Sequence, residues 1–249
     1  LNNFLTKWLL PIFSLSLIYI PSASALEKVT LQLKWKHAFQ FAGYYAAKEK
    51  GFYEDVGLEV NLIQAEPGQD TVSHVVDGIA QFGVSNSSLL KERDSGKPIV
   101  MLAVIFQHSP VVLLSLEKDM TKGIHSIQNS KAMLEENSAE VSAFLKLANI
   151  DVSKMTLLKH SYNPADLISG KVDIISSYSI NEPFFLEDQN LYYKSYSPRS
   201  LGIDFYGDNL YTSETYIKQN PERVKAFRDA SLKGWQYAMK NKEEIIQTI

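Results

Sequence analysis

Apolar and polar residues alternate in two segments near the start of the chain, and this period-two pattern is typical of half-buried β-strands. Val29–Trp35 and Gly57–Ile63 show the alternation. Between them, Phe41–Lys50 has the composition and spacing of a helix, and Gly51 is suited to end it. A strand, a helix and a second strand in this order predict two parallel strands joined by a right-handed crossover.

Alternating strand and helix patterns continue through the rest of the chain, so the predicted fold class is α/β. The further predicted strands are Gln81–Val84, Ile99–Phe106, Val111–Leu116, Met155–Lys159, Val172–Ser176 and Tyr206–Thr212. The further predicted helices are Thr71–Asp77, Ser87–Asp94, one within Ser130–Asn149, Pro164–Ser169, Pro183–Asp188 and two after the last strand, divided near Asn241.

Two such α/β sets predict two lobes, joined by crossing segments near Gln107–Val111 and Ser197–Gly202. We expect residues 26–107 to form the first part of lobe 1 and residues 108–198 to form lobe 2. Residues 199–249 then return to lobe 1 and end in C-terminal helices. Because the sequence stops inside a predicted helix, we expect the natural chain to continue.

The first 25 residues have the pattern of an export signal. Lys7 is the only charged residue before Glu27, a largely apolar stretch covers Trp8–Ile20, and an A-x-A sequence ends at Ala25. We predict that residues 1–25 are a signal peptide, cleaved after Ala25, and that the protein is periplasmic. An uncleaved anchor is the weaker alternative, since a membrane span needs roughly 20 apolar residues.

Composition narrows the classes of function. The 249 residues include no cysteine, and the net charge is −3. A slightly acidic chain lacks the basic surface that nucleic-acid binding needs, so we expect no nucleic-acid partner. The absence of cysteine excludes disulfide scaffolds, thiolate metal sites, a cysteine nucleophile and a lipid-bearing cysteine after the signal.

The motifs of common enzyme classes are missing from the sequence. It contains no phosphate-binding loop, no dinucleotide-binding glycine pattern and no H-E-x-x-H, and Gly83–Ser87 departs from the nucleophile elbow at its last position. We therefore predict a non-enzyme with no catalytic residue, no metal and no cofactor. The histidines, which show no metal-ligand spacing, are His37, His74, His108, His125 and His160.

Polar and aromatic residues follow the ends of several predicted strands. In open α/β sheets, ligands bind beyond the carboxyl ends of the strands, so these residues are candidates for a binding cleft. They lie in the segments Trp35–His37, Ser85–Ser88, Gln107–Ser109 and Tyr178–Glu182.

Two of these segments suggest particular contacts. Trp35 offers a flat face that can stack on a planar heterocycle, with core packing as the alternative. Ser85–Ser88 combines hydroxyl groups, an amide and helix N-terminal N–H groups, which suit a polar or anionic substituent. Simple helix capping is the alternative for this segment.

The triplet Asn181–Pro183 is the most informative of the motifs. Pro183 is suited to the first turn of a helix, so we expect Glu182 to lie near the positive helix end and to remain ionised. Its carboxylate can accept hydrogen bonds from the amino group and ring N–H of an aminopyrimidine, and Asn181 offers a donor and an acceptor. Capping by Asn181 is the alternative. We expect the neighbouring Phe184 and Phe185 to belong to the core.

Short motifs spread over residues 28–249 resemble those of the thiamine-pyrimidine-synthase-like periplasmic binding proteins. In chain order they are Leu33–Trp35, Gly43–Ala47, Lys50–Tyr53, Gly57–Leu58, Phe106–Pro110, Gly170–Asp173, Asn181–Pro183, Tyr206–Asp208, Asn220–Val224 and Gly234–Ala238. The resemblance implies a type II periplasmic-binding-protein fold, in which two α/β lobes enclose a ligand cleft. The candidate ligand-binding residues are then Trp35, His37, Tyr44, Ser85, Asn86, Ser87, Gln107, His108, Ser109, Tyr178, Asn181, Glu182, Tyr206 and Asp208.

Members of the family named by this resemblance serve as receptors of ABC importers for thiamine-precursor pyrimidines, and relatives bind alkanesulfonates or taurine. The resemblance therefore implies a small-molecule ligand, most simply an aminopyrimidine, and an ABC permease as partner. A sulfonate is disfavoured because the charge of Glu182 would repel it. Similar domains also sense ligands for histidine kinases and diguanylate cyclases, so a fused signalling domain is the alternative partner.

Fungal members of the family are pyrimidine synthases, which use pyridoxal phosphate, iron and a histidine of their own chain. That histidine aligns with Val84–Leu90, a segment without histidine here, and the cysteine-rich iron segment has no counterpart. The synthase alternative is therefore disfavoured, and the expected function is capture of a thiamine precursor for import.

Overall fold

Two five-stranded sheets organise the residues that the structure, a computed structural model, describes: 25–116, 123–135 and 138–249. The strands are β1 (Glu27–Gln32), β2 (Leu58–Ile63), β3 (Phe82–Ser85), β4 (Ile99–Phe106), β5 (Val111–Leu116), β6 (Lys131–Met133), β7 (Thr156–Leu157), β8 (Ile174–Tyr178), β9 (Tyr193–Tyr196) and β10 (Gly207–Ser213). The α-helices are α1 (Ala42–Glu49), α2 (Thr71–Val76), α3 (Leu89–Asp94), α4 (Ala139–Leu147), α5 (Ala165–Ile168), α6 (Glu182–Asp188), α7 (Glu214–Gln219), α8 (Pro221–Lys240) and α9 (Lys242–Ile246).

The first sheet has the strand order β2-β1-β3-β10-β4, and the second has the order β7-β6-β8-β5-β9. In the first sheet, β1 runs parallel to β2 and β3, whereas β10 runs antiparallel to β3 and β4. In the second sheet, β6 is parallel to β7 and β8, and β5 is antiparallel to β8 and β9. This architecture confirms the predicted α/β fold class.

Each sheet, together with the helices packed on it, is one lobe. The chain passes from the first lobe to the second between β4 and β5, and it returns between β9 and β10. Because β10 inserts between β3 and β4, the returning segment becomes part of the first sheet. The residue boundaries proposed for the lobes remain a prediction.

The core of the first lobe is built around aromatic side chains from elements far apart in sequence. The Phe227 ring stacks on Phe82 with 3.7 Å between ring centroids, and it stacks on Tyr53 at 5.2 Å. All three side chains are buried. Since Phe227 lies within α8 and Phe82 lies in β3, this contact packs the helix on the first sheet.

Most predicted elements are confirmed, with ends that coincide with the observed ones or lie up to three residues away. Strands β6 and β9 were not predicted, and β6, only three residues long, lies within the segment Ser130–Asn149 in which a helix was expected. Two helices were predicted after the last strand, whereas three helices, α7, α8 and α9, follow β10. The predicted division at Asn241 separates α8 from α9.

The predicted signal peptide lies outside the described residues, apart from Ala25. Within the described ranges, no helix has both the length and the apolar character that crossing a membrane requires.

Helices α1 and α8 approach closely at two glycines, and this contact predicts the effect of a substitution. A Cβ atom at Gly234 would lie 2.1 Å from the carbonyl oxygen of Gly43 and 2.7 Å from Cβ of Ala47. Since backbone must move to admit it, we expect Gly234→Ala to lower the free energy of unfolding by about 1–3 kcal/mol. Urea denaturation measures the change. Gln236→Ala, on the exposed side of the same helix, is the control, and an equal effect of both substitutions would contradict the prediction.

Candidate ligand-binding cleft

A buried lysine joins the two lobes. Lys34 follows β1 in the first lobe and is 7% exposed. Its ammonium group lies 2.8 Å from a carboxylate oxygen of Glu135, and it donates a 2.7 Å hydrogen bond to the hydroxyl of Tyr178. Both partners belong to the second lobe, Glu135 after β6 and Tyr178 at the end of β8. The strand ends of the two sheets therefore face each other across this contact.

The contact continues as a chain of hydrogen bonds that crosses between the lobes twice more. The Tyr178 hydroxyl donates to Oδ1 of Asp208 at 2.8 Å, and the Gln40 amide donates to Oδ2 at 3.3 Å. The Asn181 amide in turn donates to Oε1 of Gln40 at 2.7 Å. Asp208 and Gln40 belong to the first lobe, so these two bonds and the two contacts of Lys34 make four connections between the lobes here.

Glu182 lies at the start of α6 and is 6% exposed. Its carboxylate accepts a 2.9 Å hydrogen bond from the backbone N–H of Tyr178. Asn181 makes no side-chain capping bond to this helix, so the capping alternative does not apply. Burial raises the pKa of Glu182, although backbone N–H groups act in the opposite direction. That Glu182 remains ionised stays a prediction, which burial opposes and the two backbone N–H groups favour.

Acidic groups outnumber basic ones around the lysine. The carboxyl groups that act on it or on one another are Glu135, Glu140, Glu182 and Asp208. Burial raises the pKa of Asp208 to about 6 and that of Glu140 to about 7. Burial by itself lowers the pKa of Lys34, but Glu135 and Asp208 outweigh it and raise that pKa. The cleft is thus an acidic environment with one buried ammonium group.

Aromatic rings form a second wall of the cleft. The ring of Trp35 packs on Tyr162 of the second lobe with 3.9 Å between centroids, and His160 meets it edge-on at 5.2 Å. Nδ1 of His160 accepts a bond from the backbone N–H of Tyr162, so Nε2 carries the proton and donates to the carbonyl of Ser176 at 2.8 Å. The Trp35 side chain is partly exposed and also packs against the core of the first lobe, so its role in stacking on a ligand stays a prediction.

The serine-rich segment after β3 contributes polar atoms and a further contact between the lobes. Oδ1 of Asn86 accepts from the backbone N–H of Ser88, and the backbone N–H of Ala139 in the second lobe donates to the Ser88 hydroxyl at 2.9 Å. The Ser87 hydroxyl donates to the carbonyl of Tyr206 at 2.6 Å. This hydroxyl therefore holds the returning segment before β10.

Three neighbouring cavities surround these groups. The inner cavity, of about 10 Å³, is lined by Lys34, Trp35, Gln40, Glu135, Ser176, Ser177, Tyr178, Asn181 and Glu182. The polar cavity, of about 160 Å³, includes Lys34, Asp70, Ser85, Asn86, Ser88, Glu135, His160 and Tyr162. The outer cavity, of about 560 Å³, includes Trp35, His37, Tyr162, Ile180, Asn181, Glu182, Phe184 and Phe185.

Half of the candidate residues line these cavities or take part in the hydrogen bonds between the lobes. They are Trp35, Ser85, Asn86, Tyr178, Asn181, Glu182 and Asp208. His37 is exposed at the edge of the outer cavity, where Nδ1 contacts the Tyr45 hydroxyl. Whether any of these residues binds a ligand remains a prediction.

The remaining candidates lie elsewhere. Tyr44 is completely buried in the core of the first lobe, with its ring 5.8 Å from that of Trp235, so its placement in the cleft is corrected. In the segment between β4 and β5, Gln107 and His108 are exposed, and His108 contacts the carboxylate of Asp204. Ser87 and Tyr206 meet in the bond described above, and Ser109 is a hydrogen-bond partner of Glu140.

Sequence reasoning also placed two residues wrongly and missed several. Phe184 and Phe185 are 66% and 51% exposed, so they are not core residues. The missed cleft residues are Lys34, Gln40, Glu135, Glu140, His160 and Tyr162. Lys34 adjoins Trp35 at a strand end, and the strand-end rule could have identified it. Within the described ranges, no group of three or more His, Cys, Asp or Glu side chains could hold a metal ion.

Comparison with solved structures shows the fold to which the chain belongs. The structure resembles the periplasmic aliphatic sulphonate binding protein SsuA from Escherichia coli, with a TM-score of 0.68 and 13% identity over 90% of this chain and 78% of that one. It also resembles the alkanesulfonate-binding protein SsuA from Xanthomonas axonopodis pv. citri, with a TM-score of 0.72 and 13% identity over 91% and 79%. The fold is therefore that of the type II periplasmic binding proteins, as predicted.

Sequence comparison identifies the family. Residues 38–245 match the model of the family described as "NMT1/THI5 like", and the chain belongs to this family. The chain is 24% identical to the riboflavin-binding protein RibY of Chloroflexus aurantiacus over 88% of its length and spans 64% of that protein. It is 23% identical to the formylaminopyrimidine-binding protein of Halalkalibacterium halodurans, over 90% of this chain and 70% of the relative. The chain is also 22% identical to a 4-amino-5-hydroxymethyl-2-methylpyrimidine phosphate synthase of Legionella pneumophila, over 91% of this chain and 74% of that protein.

The raised pKa of Glu140 predicts how stability depends on pH. Its pKa lies near 7 in the folded protein and near 4.5 in the unfolded chain, so the folded state binds the extra proton between these values. Stability is therefore lost as pH rises from about 5 towards 8. Glu140→Gln mimics the protonated form, so we expect it to be neutral at pH 5 and to stabilise the protein at pH 8 by up to about 3 kcal/mol.

Urea denaturation of both proteins at pH 5 and pH 8 measures this difference. Glu222→Gln, at an exposed position on α8, controls for the loss of one negative charge. A stabilisation that is the same at both pH values would refute the assignment of the titration to Glu140.

Proposed function

We propose that this chain is an exported solute-binding domain whose lobes close on a small planar heterocycle bearing an amino group, most simply an aminopyrimidine precursor of thiamine. One observation carries the proposal: the cleft combines aromatic rings with carboxyl groups that outnumber its single buried lysine. A flat ligand ring can stack on the aromatic rings, and the amino or ring N–H groups of the ligand can donate hydrogen bonds to the carboxyl groups.

The acidic cleft separates this ligand from the alternative that the fold suggests. A sulfonate carries a permanent negative charge and would be brought next to Glu135, Glu182 and Asp208, with Lys34 already paired. At effective dielectric constants near 20, one pair of like charges at 4 Å costs about 4 kcal/mol. An aminopyrimidine carries no such charge and offers donors, so the same carboxyl groups favour it.

The relatives support the proposed class of ligand. One is named for binding a formylaminopyrimidine and another for binding riboflavin, and both names denote nitrogen heterocycles. The related synthases are named for a 4-aminopyrimidine product. For this chain, the segment Val84–Leu90 has no histidine and the sequence has no cysteine, so binding is favoured over synthesis.

Binding requires the lobes to move apart first. The inner cavity of about 10 Å³ has room for about one water molecule and not for a ring. We propose that hinge bending between β4 and β5 and between β9 and β10 opens the cleft, and that ring stacking on Trp35 and contacts to Glu182 favour closure.

In the proposed role the domain is periplasmic and delivers its ligand to an ABC permease. The alternative is a ligand-sensing domain fused to a signalling protein. Reading the gene beyond codon 249 distinguishes the two, since a membrane segment followed by a kinase or cyclase domain would establish the sensor.

Ligand titration tests the proposal. We expect hydroxymethylpyrimidine to bind the protein in calorimetry, and taurine not to bind. Since a hydrogen bond to a charged group contributes roughly 1.5–3 kcal/mol, Glu182→Gln should weaken binding about 10- to 100-fold. Trp35→Ala should weaken it about 10-fold through lost stacking and burial.

Tyr192→Ala, at a position that is 82% exposed outside the cavities, is the control and should leave the affinity unchanged. No heat and no shift in melting temperature at millimolar hydroxymethylpyrimidine would exclude the pyrimidine ligand. Tight binding of taurine would refute the charge argument.

A further inference from the structure

Three large apolar side chains stand exposed beside the cleft, on and just before α6. Ile180 is 56% exposed, Phe184 66% and Phe185 51%. The two phenylalanine rings meet edge-to-face with 6.2 Å between centroids. Single exposed apolar residues are ordinary, but a contiguous group that lines a cavity is typical of a binding surface.

The outer cavity that these side chains line is continuous with the proposed site. Trp35, Asn181 and Glu182 line both the inner and the outer cavity. A ring that stacks on Trp35 and contacts Glu182 is therefore next to the phenylalanines. The outer cavity adds apolar walls from Tyr162 and Ile168, and its volume of about 560 Å³ lies within the range of small-molecule sites.

A single pyrimidine ring leaves most of this surface unused. It can contact Trp35 and Glu182, but the apolar faces of Ile180, just before α6, and of Phe184 and Phe185, on α6, remain exposed to water. A second aromatic ring attached to the first would cover them. Its burial would contribute free energy in proportion to the apolar area removed from water.

We propose that the outer cavity is a subsite for a second ring, so that the ligand is a linked or fused multi-ring heteroaromatic compound with an amino-bearing or N–H-bearing ring in the cleft. This inference rests on the proposed function and specifies its ligand class. Charged groups are few along the outer cavity, with Lys36 and Glu182 among its lining residues, so the second ring is held by apolar and aromatic contacts.

The test compares ligands that differ in the number of rings. Calorimetric titrations use hydroxymethylpyrimidine with one ring, thiamine with two linked rings and riboflavin with three fused rings. We expect thiamine or riboflavin to bind at least 10-fold more tightly than hydroxymethylpyrimidine. The double variant Phe184→Ser/Phe185→Ser should lose about 10-fold in affinity for the multi-ring ligand and less than 2-fold for hydroxymethylpyrimidine.

Both phenylalanines are more than half exposed, so the double variant is expected to fold, and its melting temperature verifies this. Ile180→Ser is the second variant and should show the same selective loss, while Tyr192→Ser, at an exposed position outside the cavity, should show none. If hydroxymethylpyrimidine binds and neither larger ligand binds more tightly, the subsite is refuted and the proposed function stands. Equal losses for all ligands, or none, also overturn the subsite. If no ligand binds, both proposals fail.

Discussion

The arrangement of the two lobes depends on the burial of one ammonium group. Removing Lys34 from water costs several kcal/mol, and this cost is offset only if its donors are paired in fixed positions. Glu135 and the Tyr178 hydroxyl provide the pairing, and both belong to the opposite lobe. The separation of the sheets at the cleft is therefore set by the length of the lysine side chain and of its two contacts.

Tyr178 extends this constraint back to the first lobe, because its hydroxyl accepts from the lysine and donates to Asp208. Asp208 has a positive φ of 47°, a left-handed conformation that aspartate tolerates better than most residues. The backbone turn at the start of β10 thus directs a carboxylate to the point where the lobes meet. A net charge of −3 for the whole chain conceals this concentration of acidic groups, so composition alone did not reveal the acidic cleft.

The local pattern of apolar and polar residues predicted most of the secondary structure and some of the residues that lie in the cleft. Trp35 and Glu182 were identified because each follows a strand and differs from its surroundings. Lys34 was not identified, since it occupies a polar position of an alternating strand and looks like a solvent-facing residue. Tyr44 and Tyr45 are adjacent in one helix, and the motif could not show that Tyr44 faces the core while Tyr45 contacts His37. His160 and Tyr162 reach the cleft from a loop, and a loop has no periodic sequence pattern from which their positions could be predicted. The positions of these side chains depend on tertiary structure, namely on how the two lobes pack against each other.

The same network determines how a ligand can gain affinity. Several polar groups of the inner cavity already have partners, as Asn181 binds Gln40 and Tyr178 binds Asp208. A ligand that replaces these bonds exchanges one hydrogen bond for another, and such an exchange contributes only about 0.5–1.5 kcal/mol per bond. The polar groups therefore select the pattern of donors on the ligand, because an incorrect pattern leaves buried groups unpaired. Net affinity must come mainly from apolar area, and the exposed rings beside Trp35 are where the cleft offers it. The division between polar selection and aromatic affinity follows from this network, in which Lys34 pairs with Glu135 and Tyr178 and other bonds pair Asn181 with Gln40.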